Sequence, residues 1–360
     1  MTPTESCFGE PMKHIAIFQR DFQVGGIQKA LLNILQNLDY ERYAVDLYYF
    51  DPKPFYPLPK RENLKLYCLE PWPYWTRFVP FDWLKDRRLN LCDTDYDVAI
   101  DFNSYSGECA AGALQVRAKK RVMWIHNDMS VKLREEPKYR ILWRFFKSKF
   151  QYFDAFAAVS PGIIQGFRRE TGLGRVPVTV VQNTIDTAEI FRRAEEPTGF
   201  KADESRYNLC SMGRLVHQKG FDLLLEEYRK AAEQRDDLHL TIIGDGPERQ
   251  SLENQIRRLK LEGRVSMTGN LQNPFPVLRQ MDGFALMSRY EGQGIVLWEA
   301  KSLGLELFMA KHLEAYNPGL TGSVDLAAAF LRAEKREKRR DDLSDYNDRV
   351  RRSLDELLES

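Results

Sequence analysis

The sequence predicts an α/β protein built from two Rossmann-like domains, each a parallel sheet wound with helices. Three observations carry the prediction. The chain has 360 residues, and at about 100–200 residues per domain two domains are the natural expectation. It opens with an apolar run, a glycine pair and a helical pattern, which is how a βα unit begins. After a polar, strand-free stretch at residues 192–206 the alternation of strand and helix starts again.

In chain order, KHIAIF (residues 13–18) is a short β-branched apolar run and reads as a buried strand. Gly25 and Gly26 break the pattern. Ile27, Leu31, Ile34, Leu35 and Leu38 then recur at helical spacing. YAVDLYYF (43–50) is a second strand. Residues 51–83, rich in proline and aromatics, read as irregular. DVAIDF (97–102), RVMWIH (121–126), AFAAVS (155–160) and VTVVQN (178–183) are four further strands. Beyond residue 206, NLCSMGR, LHLTIIGDG, RVSMTG, GFALMS and LELFMA read as strands. FDLLLEEYRKAAEQ, ERQSLENQIRRLKL, PFPVLRQM and GIVLWEAKSLG read as helices between them. The expected division is residues 1–191, residues 192–340 and a C-terminal segment, 341–360, that packs back on the first domain. The charged tail from Arg332 reads as helices, with Leu343, Tyr346, Val350, Leu354 and Leu357 forming an apolar seam.

Composition narrows the function. Lys plus Arg total 53 and Asp plus Glu 52, a net charge of +1, so there is no basic excess of the kind nucleic-acid binders show. The longest mostly apolar stretch, residues 153–164, is too short to span a bilayer. The five cysteines, Cys7, Cys68, Cys92, Cys109 and Cys210, are widely spaced without a CxxC. That argues against a disulfide framework and a zinc site, and fits a reducing compartment. The first eleven residues lack the basic and apolar regions of a signal peptide and read as a dispensable extension. The expected location is the cytoplasm, including the inner face of the membrane.

The chemistry concentrates in the second half. In RYEGQGIVLWEAKSLG, Glu291 and Glu299 flank Gly292 and Gly294 at the mouth of a helix. Free N–H groups at a helix N-terminus suit a phosphate, and a carboxylate farther along can accept two hydrogen bonds from a ribose diol. Alone, the segment reads equally as a solvated glycine loop with two surface acids. In SMGRLVHQKGFD, Arg214 and Lys219 follow a strand, spaced to clamp a diphosphate, although two isolated cations are more often merely solvated. IIGDGPER adds a glycine turn after another strand.

Taken in this order, GRL-x3-KG, GDGPE and EGxG…E resemble the retaining glycosyltransferases of family 4, which have the GT-B fold. The resemblance spans nearly the whole chain. GGIQKALLNIL resembles the family's amino-terminal phosphate loop, VSPGI and VVQNTID its interdomain approach, and DGFALMSRYEGQGIVLWEA its donor site. The resemblance implies an active site in the cleft between two domains. Gly25 and Gly26 would let amides approach the donor phosphate, and Arg214 and Lys219 would hold the diphosphate. Glu291 would contact the transferred sugar, and amides around Gly292, Gly294 and Ile295 would hold phosphate. Glu299 would bind the ribose, and Leu271 would lie beside the nucleobase. His126 resembles the family's active-site histidine, where a lone strand-end histidine is otherwise usually structural. Three places depart from the family pattern: Gln293 between the glycines, Glu306 where proline is usual, and the stretch after Met309.

The implied activity is retaining transfer of a hexosyl or N-acetylhexosaminyl group from a UDP- or GDP-linked sugar. The acceptor would be a glycan or lipid-linked glycan, in surface polysaccharide or glycoconjugate synthesis. No metal and no cofactor beyond the donor is implied. A sugar-nucleotide epimerase and a catalytically silent sugar-nucleotide-binding protein of the same fold are the alternatives. A nicotinamide dehydrogenase is disfavoured because no GxGxxG follows the first strand. YRILWRFFKSKFQYF (139–153) interleaves Arg140, Arg144, Lys147 and Lys149 with Trp143, Phe146 and Phe150. It reads either as a basic amphipathic helix contacting an anionic membrane or as a helix packed on its sheet. The proline-aromatic run 71–83 reads as an acceptor lip or a covered loop.

Overall fold

A computed structural model describes residues 11–23 and 25–360. Cys7 and the expected amino-terminal extension, apart from Pro11, lie outside the described residues. Contacts divide the chain into two compact units, Met1–Thr184 with Val350–Ser360, and Ile185–Arg349.

In the first unit the elements run β1 (Lys13–Gln19), α1 (Gly26–Asn37), β2 (Tyr43–Tyr49), β3 (Leu64–Cys68), α2 (Phe81–Leu84), β4 (Asp95–Asp101), α3 (Gly107–Gln115) and β5 (Arg117–Ile125). They continue through α4 (Met129–Glu135), α5 (Pro137–Phe146), β6 (Ala155–Ala158), α6 (Ile164–Thr171) and β7 (Val178–Val180). The seven strands are ordered β3-β2-β1-β4-β5-β6-β7, and all pair in parallel. A parallel sheet covered on both faces needs nearly continuous apolar strands. Ile15, Ala16, Ile17 and Phe18 of β1 and Val98, Ala99 and Ile100 of β4 are all buried.

The second unit runs α7 (Thr187–Ala194), β8 (Tyr207–Met212), α8 (Phe221–Ala232), β9 (Leu238–Ile243), α9 (Arg249–Arg258), β10 (Val265–Gly269), α10 (Phe275–Leu278), β11 (Gly283–Leu286), α11 (Ile295–Ser302), β12 (Glu306–Met309) and α12 (Leu326–Arg332). Its five parallel strands are ordered β10-β9-β8-β11-β12. Leu209, Leu225, Leu240, Ile242, Ala285 and Phe330 belong to its core. Strand order reverses between β1 and β4 in one unit and between β8 and β11 in the other. Outside the carboxyl ends of strands at such reversals, open α/β sheets leave a crevice for ligands.

The last helix, α13 (Ser344–Glu359), contributes its first six residues to the second unit and the rest to the first. Leu343, Tyr346, Val350, Leu354 and Leu357 are all buried. Lys120 Nζ donates to the Leu357 carbonyl at 2.8 Å and Lys13 Nζ to that of Leu358 at 3.2 Å. Two cations thus meet the negative end of the helix dipole.

Several sequence expectations need correction. Residues 51–83 are not wholly irregular: β3 pairs with β2 there, and α2 begins at Phe81. The tail forms one helix, since residues 333–343 are irregular. The units divide after Thr184, earlier than the expected 191/192 boundary, because α7 packs on α10 of the second unit. Residues 341–349 belong to that unit as well. Cys68, Cys92, Cys109 and Cys210 are free thiols. Among the described residues no helix is long and apolar enough to cross a membrane.

Candidate functional site

The loop leaving β8 carries Arg214 and Lys219 and ends at Gly220, the residue before α8. Gly220 has φ 61°, and a Cβ there would lie 2.2 Å from the Met287 carbonyl oxygen. Only glycine lets the two backbones pass this closely. On the other side, the Leu215 amide donates to the Asp245 carbonyl at 2.9 Å. A Cβ on Gly246 would come 2.4 Å from the Leu215 oxygen, which explains the glycine in GDGPE.

Arg289 stitches the β8 loop to the β11 loop. Its guanidinium takes both oxygens of Asp222, at 2.8 and 2.7 Å, and also donates to the His217 carbonyl. Its amide donates to the Gln218 carbonyl, and the Gln218 side chain donates to the Tyr290 carbonyl. Hydrogen bonding to Arg289 holds the Asp222 carboxyl below its ordinary value. The fork geometry explains why an arginine serves here.

This framework sets Lys219 against Glu291. Lys219 Nζ donates to Glu291 Oε1 at 2.6 Å, and Ser288 Oγ donates to the same oxygen at 2.6 Å. Glu291 is buried and Lys219 largely so. The two residues expected at the diphosphate and at the sugar therefore form one ion pair. Arg214 is exposed on the same loop, and Leu271 is half-buried in the loop after β10. That loop is fixed by Arg193, which donates to the Gln272 carbonyl at 2.7 Å.

Gly292 and Gly294 are buried, and Gly294 precedes α11. Its amide donates to Asn317 Oδ1 at 3.0 Å, and the Ile295 amide to the Gln293 carbonyl at 3.1 Å. The Gly294 N–H expected to face phosphate is thus already paired, and Asn317 was not expected at the site. It lies in the stretch after Met309 that departs from the family pattern, as does His312, whose ring bonds the Ser288 carbonyl at 2.8 Å. A carbonyl only accepts, so His312 Nε2 carries the proton. Gln293, the departure between the glycines, is buried and donates to the Tyr346 hydroxyl at 2.7 Å. The Tyr346 ring stacks on Trp298, with centroids 4.1 Å apart, beside the buried Glu299. Glu306, the third departure, accepts from the Tyr207 hydroxyl at 2.8 Å.

In the first unit, Gly25 and Gly26 stand at the start of α1. Gly25 is extended, so its backbone does not require glycine, but a Cβ there would lie 2.3 Å from Gln28 Oε1 and the Gln28 side chain would have to move; a Cβ on Gly26 would meet nothing within 4 Å. His126 follows β5, and its Nε2–H donates to the Phe102 carbonyl at 2.8 Å. Burial pushes its pKa down to about 4, only partly countered by that hydrogen bond. The imidazole is therefore neutral near pH 7, and its Nδ1 carries the lone pair.

Lys149, expected on an exposed cationic face, is fully buried and donates to the Ser106 carbonyl at 3.1 Å. Burial lowers its pKa, opposed by Asp101, whose own carboxyl burial pushes up to about 7. Trp143 and Phe150 are buried too, so these aromatics pack inward. Residues 71–83 are only half covered: Trp72, Thr76 and Phe81 are buried, while Tyr74, Trp75, Phe78 and Trp83 are exposed.

Comparison with known proteins bears on both units. The family model described as Glycosyltransferase Family 4 matches residues 24–189, and that described as Glycosyl transferases group 1 matches residues 192–313. The chain is 30% identical over 169 residues to the lipopolysaccharide core biosynthesis glycosyltransferase LpsE of Rhizobium meliloti, covering 44% of each chain. The chain spans about half the length of the first curated relatives it matches. It is 24% identical over 314 residues to a Campylobacter jejuni enzyme, covering 84% of this chain and 81% of that one. That relative is the N-acetylgalactosamine-N,N'-diacetylbacillosaminyl-diphospho-undecaprenol 4-alpha-N-acetylgalactosaminyltransferase. Among solved structures, Anabaena HepE in complex with UDP and glucose superposes with a TM-score of 0.64 at 16% identity, covering 96% of this chain and 99% of that one. At that identity the likeness shows the fold alone.

Proposed function

Since the chain belongs to the glycosyltransferases, with a family 4 amino-terminal region and a group 1 carboxy-terminal region, we propose that it transfers a sugar from a nucleotide-diphosphate donor with retention of configuration. The observation that carries the reading is the Lys219–Glu291 pair outside the carboxyl ends of β8 and β11, where strand order reverses. In this reading Lys219 and Arg214 neutralise charge on the leaving diphosphate. Glu291, oriented by Lys219 and Ser288, accepts from hydroxyls of the transferred sugar through its second oxygen. Glu299 receives the ribose diol, the glycine-lined entrance of α11 around Gly292 and Ile295 adjoins the phosphate, and Leu271 borders the base. From the first unit, Gly25 and Gly26 give amides access to phosphate. The neutral His126 offers a hydrogen-bond acceptor to the sugar.

The acceptor hydroxyl attacks on the face the diphosphate leaves, and a donor phosphate oxygen takes its proton. No side-chain nucleophile is needed. No metal is needed in this reading, because the two cations supply the charge. A hexosyl or N-acetylhexosaminyl donor and a glycan or lipid-linked acceptor fit the names of the LpsE and C. jejuni relatives. UDP sugars come first in the test and GDP sugars second, because HepE holds UDP. The test incubates the protein with each donor and follows release of nucleoside diphosphate. Release with a new glycoside supports transfer. A changed sugar on an intact nucleotide identifies an epimerase, and binding without turnover a silent binding protein.

A further inference from the structure

We propose that the first unit carries a membrane-docking surface, formed by residues 74–83 with the outer face of α5, that engages bilayers containing anionic lipid. Sequence alone points to the aromatics of residues 139–153, but the structure turns several of those inward. It exposes a different set. Among the described residues nine large apolar side chains are exposed, and five of them, Tyr74, Trp75, Phe78, Trp83 and Ile141, fall in these two segments. Trp75 is 56% exposed and Trp83 80%.

The two segments form one surface. Tyr74–Phe78 is a short 3-10 turn that packs on α5. The ring contacts run from Tyr74 to Phe78 at 6.0 Å and from Phe78 to Phe145 at 6.3 Å. Ile141 lies one helical turn before Phe145, on the same face. Trp72, Thr76, Phe81 and Leu84 already anchor the segment to the unit. The outward aromatics are therefore not needed to hold it down. An exposed apolar cluster of this kind marks an interaction site, and Trp and Tyr suit the headgroup level of a bilayer.

Charge selects the partner. Residues 137–153 contain no Asp or Glu. Lys138, Arg140, Arg144 and Lys147 are exposed along this stretch. None of the four is tied to a carboxylate among the described residues. Arg77 stacks on Tyr74 at 4.8 Å from the ring centre. Asp82, the one acid in residues 71–83, accepts from the Tyr152 hydroxyl at 2.6 Å. Cations interleaved with exposed Trp, Tyr and Phe match an anionic headgroup layer over an apolar interior.

The proposal rests on this surface alone and holds whether or not the donor reading does. The test is sedimentation of the full chain with phosphatidylcholine vesicles, with and without about one-third phosphatidylglycerol, at low and high salt. Binding to the anionic vesicles only, weakened by salt and accompanied by a blue shift of Trp fluorescence, is expected. Arg144→Glu with Lys147→Glu lowers binding by at least about fivefold per cation, and Trp75→Ala with Trp83→Ala removes the blue shift. All four sites are exposed, and unchanged circular dichroism confirms that the variants are folded. No binding at low salt, or binding indifferent to both double variants, overturns the proposal. So does dimerisation of the free protein that Trp75→Ala with Trp83→Ala abolishes, since the surface then belongs to a second copy.

Discussion

Replacing Lys219 by methionine affects stability and catalysis together, and the structure separates the two. Lys219 Nζ lies 2.6 Å from Glu291 Oε1, with the side chains 22% and 6% exposed. Methionine keeps most of the volume but leaves a buried carboxylate with Ser288 as its remaining donor. Breaking a fully buried pair costs about 3–5 kcal/mol. Lys219 is partly exposed and Ser288 stays, so about 2–3 kcal/mol is expected. The double variant Lys219→Met, Glu291→Gln removes both charges and keeps an acceptor for Ser288. It is expected to be more stable than Lys219→Met alone by about 1–2 kcal/mol. Arg214→Ala, on an exposed side chain, changes stability by less than about 0.5 kcal/mol. Both cation variants slow turnover by a barrier increase of about 2–4 kcal/mol, roughly 30- to 1,000-fold. Urea midpoints give the stabilities and initial rates of nucleotide release give the barriers. Additive stability losses at Lys219 and Glu291 would refute the pairing, and wild-type turnover in both cation variants would refute the clamp.

Glu299→Ala weakens binding of the bare nucleoside diphosphate by about tenfold or more, the loss of charge-assisted hydrogen bonds. Glu291→Gln mainly slows transfer, and equal affinity losses by calorimetry contradict this division. His126, with a folded pKa of about 4 against an ordinary value near 6.5, contributes stability that is present above pH 6.5 and lost as pH falls toward 4. Urea midpoints between pH 7 and pH 4.5 should fall more steeply for the wild type than for His126→Asn, and parallel curves would remove the buried neutral histidine. Tyr346→Phe keeps the stack on Trp298 but drops the Gln293 hydrogen bond, costing about 1–2 kcal/mol. Adding Gln293→Leu should recover part of that loss in thermal melts, and a further loss contradicts the contact. Chelator leaves turnover intact if the cations replace a metal, and an absolute requirement for added magnesium or manganese contradicts that.

The strands were legible where burial on both faces demands unbroken apolar runs, as in β1, β6 and β8. β3 was not, because it is an edge strand. Of its five residues only Leu64 is buried, and proline and aromatics surround it. The unit boundary was blurred because α7 is amphipathic but its partner, α10, lies far along the chain. At the site, glycines and charges beside strand ends marked the loops correctly, since the chemistry of a phosphate subsite is local. Its wiring is not local. Arg289 with Asp222, Gln293 with Tyr346 and Gly294 with Asn317 join residues separated by 67, 53 and 23 positions. Lys149 misled for a related reason. Its helical spacing matched that of the exposed cations, but the chain passes into a 3-10 segment after Phe146, which turns Lys149 inward onto the Ser106 carbonyl.

The central claim is transfer of a sugar with its configuration kept. The most direct measurement is the anomeric configuration of the product, by proton NMR, when the protein is incubated with α-linked UDP-glucose or UDP-N-acetylglucosamine and a glycan or lipid-linked acceptor. The account predicts release of UDP and an α-linked glycoside. A β-linked product, or a donor that binds without releasing UDP in the presence of any acceptor, would contradict it.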